Sequence, residues 1–245
     1  MDARAAYQVR RRALLASLIE LDASTGLEIG ACDLPTASPD KGSCSFADFR
    51  SASEMVEMWN LPTEAVVPVT YLLSRDRSLP EQIKEKFDYI IACHVLEHIP
   101  DIIAYLLDLH ALLKPGPGRV VFMTLPDKRA TLDATRPSTK LERIVANYHN
   151  RVRVPQLDEV MEFHRHWVGF ANGGAPLPIR EAYEYASQAI IDKDVDAHCH
   201  VWEDQQFKSQ IEQLIEGGFL QSYRLALFEP YFLGTNEFAV GLVSI

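Results

Sequence analysis

A glycine and an aspartate stand where two predicted strands end, and their spacing is typical of a site that binds a ribose. An apolar strand runs directly into Gly30, a residue type that lets a ligand approach the backbone closely. Asp48 follows 18 residues later, at the end of the next predicted strand, where a carboxylate accepts hydrogen bonds from both ribose hydroxyls. Cys32 replaces the second glycine of a dinucleotide fingerprint and Pro35 disfavours a regular helix, so we do not expect a pyrophosphate cradle. A glycine turn before an acidic strand end also occurs in proteins without such a ligand.

The segment from His94 to His98 matches H-x-x-E-H, a zinc-peptidase pattern. In that pattern two histidines one helical turn apart bind zinc, and the glutamate activates water. The chemistry needs a continuous helix, whereas Pro100 disfavours helix here and residues 89–92 have the composition of a strand. We therefore expect Glu97 and His98 to cap or anchor the loop after the fourth strand, with the peptidase as the alternative.

Two further histidine pairs have i, i+2 spacing: His164 with His166, and His198 with His200. This spacing places both rings on one side of an extended segment, but not of a helix. Four such histidines with a nearby carboxylate offer a metal site as one alternative. We expect no metal, and instead predict His198 or His200 as a general base, because imidazole titrates near neutral pH.

Three charged residues, Asp127, Lys128 and Arg129, directly follow the fifth predicted strand. At the carboxyl edge of a sheet they would form a charged mouth for a polar or anionic substrate, with Arg129 able to hold a carboxylate or phosphate in two places. The alternative is an ordinary solvated turn.

The elements that position these residues alternate between strand and helix. Apolar runs predict strands, helical spacing of apolar residues predicts helices, and Lys114-Pro115-Gly116 ends one of those helices. This order indicates an α/β protein with a mostly parallel sheet and helices on both faces. The predicted strands are 26–30, 45–49, 65–73, 87–92 and 119–124 with a final pair at 219–228 and 237–244, and the clearest helices are 101–113 and 207–215.

Composition excludes several classes of protein. The chain has 245 residues, of which 47% are hydrophobic and 24% charged, as in ordinary soluble globular proteins and unlike collagen-like or disordered chains. Its formal net charge of -10 repels phosphate backbones and anionic lipid, so we expect no nucleic-acid partner. No apolar stretch reaches the ~18 residues of a membrane span. Four widely spaced cysteines without a C-x-x-C pair indicate a reducing compartment, and we expect a cytoplasmic protein.

The N-terminal residues 1–25 only loosely imitate a signal peptide. Three arginines at 10–12 precede an apolar run, but Glu20 and Asp22 follow too soon and no small-residue cleavage site is present. We predict an amphipathic helix with the arginines on its solvent face.

Four segments together resemble class I S-adenosylmethionine-dependent methyltransferases, over about half of the chain. They are L-E-I-G at 27–30, F-D-Y-I-I-A-C-H-V-L-E-H-I-P-D at 87–101, L-L-K-P-G-P-G-R-V at 112–120 and P-D-K-R-A-T-L-D-A-T-R-P at 126–137. The last segment is similar to a bacterial, type 11-like branch of the family. The resemblance implies a Rossmann-like, seven-stranded sheet whose last strand is antiparallel.

The resemblance also implies the cofactor S-adenosylmethionine and a set of residues around it. Glu28 and Gly30 would flank its methionine part, Asp48 would hold the ribose, and Asp76 would approach the adenine. The sequence departs from the family pattern because the G-x-G-x-G core is reduced to Gly30 alone. The full predicted cofactor set is Glu28, Gly30, Ala31, Cys32, Asp48, Phe49, Asp76, Cys93 and His94, with Asp127, Lys128 and Arg129 for substrate.

The implied function is methyl transfer to an oxygen or nitrogen of a polar small molecule, such as a sugar, a polysaccharide precursor or a secondary metabolite. The alternative is a non-catalytic binding or scaffold subunit that keeps the fold, which the reduced glycine core favours. We expect a methyltransferase core of residues 26–127 and 206–245, and a helical cap at 128–205 that binds substrate. A homodimer is the oligomeric state left open beside the monomer.

Overall fold

The computed structural model describes residues 3–38, 43–192 and 195–245. Seven strands form one sheet in the order β3-β2-β1-β4-β5-β7-β6. Strand β7 pairs antiparallel with both of its neighbours, and the other pairings are parallel, which confirms the predicted sheet. The strands are β1 (Gly26–Ile29), β2 (Cys44–Asp48), β3 (Tyr71–Leu72), β4 (Tyr89–Cys93), β5 (Val120–Pro126), β6 (Tyr223–Glu229) and β7 (Glu237–Ser244).

Eight helices accompany the sheet in the described residues. They are α1 (Ala3–Ala16), α2 (Ala52–Trp59), α3 (Leu79–Gln82), α4 (Ile102–Leu112), α5 (Leu141–Asn150), α6 (Leu157–Ala171), α7 (Ile179–Asp192) and α8 (Asp204–Glu216). Helix α4 begins where the Asp101 side chain accepts a hydrogen bond from the Ala104 amide, a typical N-cap. None of the described helices is long and apolar enough to cross a membrane.

The central strands are buried on both faces, because helices cover both sides of the sheet. Ile90 of β4 belongs to the core cluster that includes residues of α4 and α8, whereas its neighbour Ile91 belongs to the cluster around Leu15 of α1. This alternation is the period-two pattern of a strand covered on two sides. Burial on both faces of the sheet explains why the sequences of β4 and β5 are almost continuously apolar.

The third predicted strand, 65–73, is much shorter than expected. Only Tyr71–Leu72 pairs with β2, and Thr63–Ala65 form a 3-10 turn. Pro68 lies within the predicted run and has no amide hydrogen for a sheet ladder. The prediction of a long strand was therefore wrong.

The prediction that the arginines of α1 face solvent was also wrong for Arg11. This side chain is buried and donates from Nε (3.1 Å) and from Nη2 (2.5 Å) to the carboxylate of Glu237 on β7. Its neighbour Arg10 is partly buried, with its guanidinium 4.7 Å from the centre of the Phe232 ring. Helix α1 is therefore fastened to the far end of the chain by a buried ion pair.

Helices α5 to α7 lie between β5 and α8 in the chain, within the segment predicted as a cap. His164 and His166 are on helix α6, where residues two positions apart lie on different faces, so their rings do not share one side. The ring of His164 stacks on the ring of Tyr185, with 3.5 Å between the ring centres. Nδ1 of His166 instead lies 3.0 Å from the Thr135 hydroxyl. The geometry does not bring these two histidines together as a metal-binding pair.

Candidate functional site

The strand order reverses between β1 and β4, because β1 is followed by β2 on one side and β4 by β5 on the other, and a crevice opens beyond their carboxyl ends. The two strands are parallel neighbours, with Ile29 opposite Ala92. Gly30 and His94, which follow these strands closely, therefore lie at the same edge. Ligands of open α/β sheets bind at this kind of switch point.

Two adjacent cavities that share lining residues occupy this crevice and form its two lobes. The larger lobe, of about 340 Å³, lies toward α1, and the smaller lobe, of about 170 Å³, lies toward the end of β2. Both lobes are lined by Gly30, Cys32 and His94. The predicted cofactor residues Glu28, Ala31 and Cys93 line the larger lobe, and Asp48 and Phe49 line the smaller one.

The turn after β1 is held by the buried Glu28. Its two carboxylate oxygens accept hydrogen bonds from the amides of Thr36 (2.7 Å) and Ala37 (2.8 Å). Burial raises the pKa of Glu28 to about 7, although these hydrogen bonds oppose the rise. Gly30 and Cys32 have φ angles of +74° and +49°, in the left-handed region. Glu28 thus fixes the loop that forms the wall of the larger lobe.

Helix α1 supplies a wall of the larger lobe that sequence reasoning missed. Arg4, Tyr7 and Arg11 line the lobe together with Asn236, whose amide donates to the Tyr7 hydroxyl (3.1 Å). The signal was present, because positions 4, 7 and 11 share one face of a helix. Both arginines already hold carboxylates of the protein, Arg4 that of Asp33 (2.5 Å) and Arg11 that of Glu237, so this wall presents ion-paired side chains to the lobe.

Asp48 sits at the end of β2 beside flat aromatic walls. Its Oδ1 atom accepts the amide of Arg50 at 3.1 Å, and Phe49 and Trp59 line the same lobe. Burial raises the pKa of Asp48 above its usual value, although hydrogen bonds from the Arg50 and Phe49 amides oppose this. This arrangement offers a carboxylate acceptor next to apolar surface, which a ribose and a base both require.

Asp76, the residue predicted near adenine, lies outside these two lobes. It is exposed, accepts a hydrogen bond from the Ser74 hydroxyl, and lines a neighbouring cavity of about 520 Å³. That cavity shares Phe49 and Arg75 with the smaller lobe. Asp76 therefore lies next to the crevice, in a cavity that is separated from the smaller lobe by shared lining side chains.

The two predicted general bases have different environments. His200 is buried, and its Nε2 lies 2.9 Å from the carbonyl oxygen of Pro100. Burial lowers the pKa of His200 to about 4, so this ring is neutral at neutral pH. His198 is partly exposed, and its ring packs edge-on against His98, a residue of the smaller lobe. Neither histidine lines the two lobes, and His198 contacts one of their lining residues, His98.

The residues predicted to bind substrate contact one another, the start of α8 and the segment that follows them. Asp127 is buried and accepts hydrogen bonds from Arg129 and from the amide of Asp204 (3.0 Å). Arg129 also donates to the Asp204 carboxylate (2.7 Å), and Lys128 donates to the carbonyl oxygen of Arg136. Neither lobe is lined by these three predicted residues.

The zinc-peptidase alternative needs an α-helix through H-x-x-E-H, and the structure has a different backbone there. His94 has a φ of +53°, and Leu96–His98 form one 3-10 turn. The two histidines of the motif are therefore not on one helical face. The structure contradicts the peptidase reading.

Comparison with known proteins agrees with this architecture. Residues 21–213 match a protein-family model described as a methyltransferase domain. The chain is 39% identical over 84 residues to a ubiquinone biosynthesis O-methyltransferase of Paramagnetospirillum magneticum, covering 34% of this chain and 29% of that protein. It is 36% identical over 62 residues to a protein of the same name from Pseudomonas syringae pv. tomato, covering 25% and 26% of the two chains.

Among solved structures, magnesium protoporphyrin IX methyltransferase from Synechocystis PCC 6803 aligns with 100% of this chain and 86% of its own. The sequence identity is 11% and the TM-score is 0.46, a weak likeness. The matched stretches of the curated relatives span less than a third of those proteins. The family model, in contrast, covers most of this chain, and the seven-stranded sheet with an antiparallel β7 agrees with it. The chain therefore belongs to the methyltransferase-domain family and has the class I methyltransferase fold.

Proposed function

We propose that this protein binds S-adenosylmethionine in the two lobes of the crevice and transfers its methyl group to an oxygen or nitrogen of a polar small molecule. The observation that carries the proposal is the crevice between β1 and β4, where the Gly30 turn lines both lobes and the Asp48 carboxylate lines the smaller one. In a chain of the methyltransferase family, such a crevice is the expected place for the cofactor.

The residues present fit the chemical groups of this cofactor. Asp48 provides a carboxylate acceptor for ribose hydroxyls, and Phe49 and Trp59 provide flat apolar walls for a base. At the other end, the lobe that would take the amino-acid part is lined by the Arg4–Asp33 ion pair and by Arg11, which is paired with Glu237, so charged groups of both signs meet there. Asp76, in the neighbouring cavity, would meet the cofactor only at the far edge of the base.

Bound S-adenosylmethionine supplies a methyl group on a sulfonium, which is a good leaving group. The chain therefore has little covalent chemistry to perform, and its main task is to hold the acceptor atom in line. Positioning of this kind contributes up to ~7 to 11 kcal/mol. His198, held through Nδ1 by Asp133 at 2.5 Å, has its other nitrogen available beside the smaller lobe.

The curated relatives are named O-methyltransferases, which favours oxygen over nitrogen as the acceptor atom. The polar character of the acceptor rests on the family resemblance, because Asp127, Lys128 and Arg129 are engaged in contacts within the protein. The four cysteines are unpaired thiols, which supports the proposed cytoplasmic location.

The test is transfer of a radiolabelled methyl group from S-adenosylmethionine to a panel of hydroxylated and amino-bearing small molecules. We expect label in at least one acceptor. Cofactor binding without transfer to any acceptor, in a chain whose glycine core is reduced to Gly30, would favour the alternative of a non-catalytic binding subunit.

Asp48→Asn should weaken binding of S-adenosylmethionine by about 10- to 100-fold, because hydrogen bonds to a charged acceptor contribute about 1.5 to 3 kcal/mol. Isothermal titration measures the change. Glu64→Gln is the matched control, since it removes one negative charge from an exposed 3-10 turn. Equal affinities of the Asp48 variant and the control would show that the ribose is not held at Asp48.

A further inference from the structure

A buried carboxylate without a hydrogen-bond partner lies beside the smaller lobe. The Glu97 side chain is about 1% exposed, and neither of its oxygens has a hydrogen-bond partner among the described residues. Burying a carboxylate is costly unless it is paired with a positive group or coordinates a metal. Glu97 has no role in the methyl transfer proposed above.

Three imidazoles surround this carboxylate: Nδ1 of His94 lies 3.6 Å from Oε1 of Glu97 while its Nε2 contacts Glu237, and His98 and His198 approach from the cavity side. Nε2 of His98 lies 4.0 Å from Oε1 of Glu97, and the rings of His98 and His198 meet edge-on with their centres 4.7 Å apart. One potential ligand atom from each of the three residues lies within 4.8 Å of the others. The Glu97–His98–His198 cluster thus combines half of the H-x-x-E-H motif with a histidine that comes 100 residues later.

Each imidazole of the cluster is oriented by a second carboxylate. Nδ1 of His98 lies 3.0 Å from Asp196, and Nδ1 of His198 lies 2.5 Å from Asp133. The contact of His198 is a hydrogen bond, whereas that of His98 has ion-pair distance without hydrogen-bond geometry; in both rings Nε2 is the nitrogen that faces away from the second carboxylate. Histidines that bind metals usually have this carboxylate on the remote nitrogen, because it fixes the tautomer and the ring orientation.

The backbone holds His198 against the turn that carries Glu97. The carbonyl oxygen of Glu97 accepts the amides of Cys199 (2.7 Å) and His200 (3.1 Å). On the other side, Nη2 of Arg136 donates to the carbonyl oxygen of His198 (2.8 Å). The cluster is therefore built from rigidly joined parts of the core and the cap.

We propose that Glu97, His98 and His198 form a binding site for a divalent transition-metal ion such as zinc. Two imidazoles and one carboxylate suit first-row ions of this kind, whereas magnesium and calcium prefer oxygen ligands. Ligands bound at 2.0 to 2.2 Å lie roughly 3.5 Å apart around a tetrahedral ion, so side-chain movements of about 1 Å would close the cluster. With three protein ligands, at least one coordination position stays open.

The open position gives the ion a role that rests on the proposed function. His98 and Asp196 line the smaller lobe, so the ion would stand at the edge of the cofactor cavity. There it would bind an oxygen of the acceptor molecule and favour its deprotonated form. His198 would then be a ligand, since the same Nε2 lone pair cannot also take a proton from the acceptor.

The test begins with zinc alone and the whole chain after treatment with a chelator. Isothermal titration should show one ion per chain with a dissociation constant in the micromolar range or below, and Co²⁺ should give visible absorption bands of a bound ion. Glu97→Gln and His198→Asn should each weaken zinc binding at least tenfold. His164→Asn is the matched control, because it removes a cap histidine that stacks on Tyr185 outside the cluster.

Stability of the metal-free variants separates a ligand from a merely structural residue. Glu97→Gln should melt at the same or a higher temperature than the parent chain, because it removes a buried charge that accepts no hydrogen bond. It should also lose the rise in melting temperature that zinc gives the parent. If Glu97→Gln is destabilised without metal, or if the two cluster variants bind zinc as tightly as His164→Asn, the assignment is wrong. No zinc binding by the parent chain at 100-fold molar excess would also overturn it.

Titration of the metal-free chain with S-adenosylhomocysteine distinguishes this proposal from the proposed function. Binding of the cofactor product without zinc binding overturns only the metal site. Zinc binding without binding of S-adenosylhomocysteine overturns only the proposed function.

Discussion

Gly30→Val should weaken binding of S-adenosylmethionine by at least 100-fold. A Cβ atom at this position would lie 2.6 Å from Cγ2 of Val95, so the turn or its neighbour must move. The positive φ of Gly30 adds about 1 to 2 kcal/mol of backbone strain for an L-residue, and overpacking adds typically 1 to 3 kcal/mol. Both lobes are lined by Gly30, so the displaced turn deforms the whole crevice. Isothermal titration measures the loss of affinity.

Gly118→Val separates this effect from general backbone strain. Gly118 also has a positive φ, of +84°, but a Cβ there would meet no atom within 4 Å. It precedes β5, at the opposite end of the strand from the crevice. We expect Gly118→Val to lower the melting temperature while keeping cofactor affinity. Equal loss of affinity in both variants would contradict the placement of the cofactor against Gly30.

Glu237→Gln should destabilise the protein by about 3 to 5 kcal/mol at pH 7, because it leaves the Arg11 guanidinium buried without its partner. The pair joins α1 to β7 and borders the larger lobe, so the variant should also weaken cofactor binding. Glu229→Gln is the control, since Glu229 is a more exposed carboxylate 3.6 Å from Arg10. Urea unfolding of both variants measures the difference.

The same pair predicts how stability depends on pH. Burial alone would raise the pKa of Glu237, but hydrogen bonds from His94 and Arg11 outweigh it and lower the pKa from 4.5 to about 2. A depressed pKa in the folded state stabilises the protein above pH 4.5, and this contribution is lost as the pH falls toward 2. The stability difference between the parent chain and Glu237→Gln should therefore shrink by about 2 kcal/mol between pH 6 and pH 3. A difference independent of pH would contradict the ion pair.

The sheet was predictable because its pattern is local. The continuous apolar runs of β4 and β5 indicate strands covered on both faces, and the structure confirms them. The short length of β3 was also predictable, because Pro68 lies within the run and cannot donate a ladder hydrogen bond. The residues that follow β1, β2 and β4 could be placed at one edge, because parallel strands share the direction in which they end.

The parts of the site that depend on distant pairs were not predictable from spacing. Arg11 is buried only because Glu237, 226 residues later, supplies its partner. The charged turn after β5 is tied to the start of α8 through Asp204, 75 residues after Arg129. His198 meets His98 because backbone hydrogen bonds dock its segment on the carbonyl oxygen of Glu97. Tertiary packing determines each of these contacts, and no local sequence pattern predicts them.

The most direct test of the central claim is isothermal titration of the purified chain with S-adenosylmethionine and then with S-adenosylhomocysteine. We expect one site per chain with micromolar affinity for both compounds. When one compound already occupies the site, titration of the other should give no heat of binding. A well-folded chain that binds neither compound would contradict the proposal that the crevice between β1 and β4 is a cofactor site.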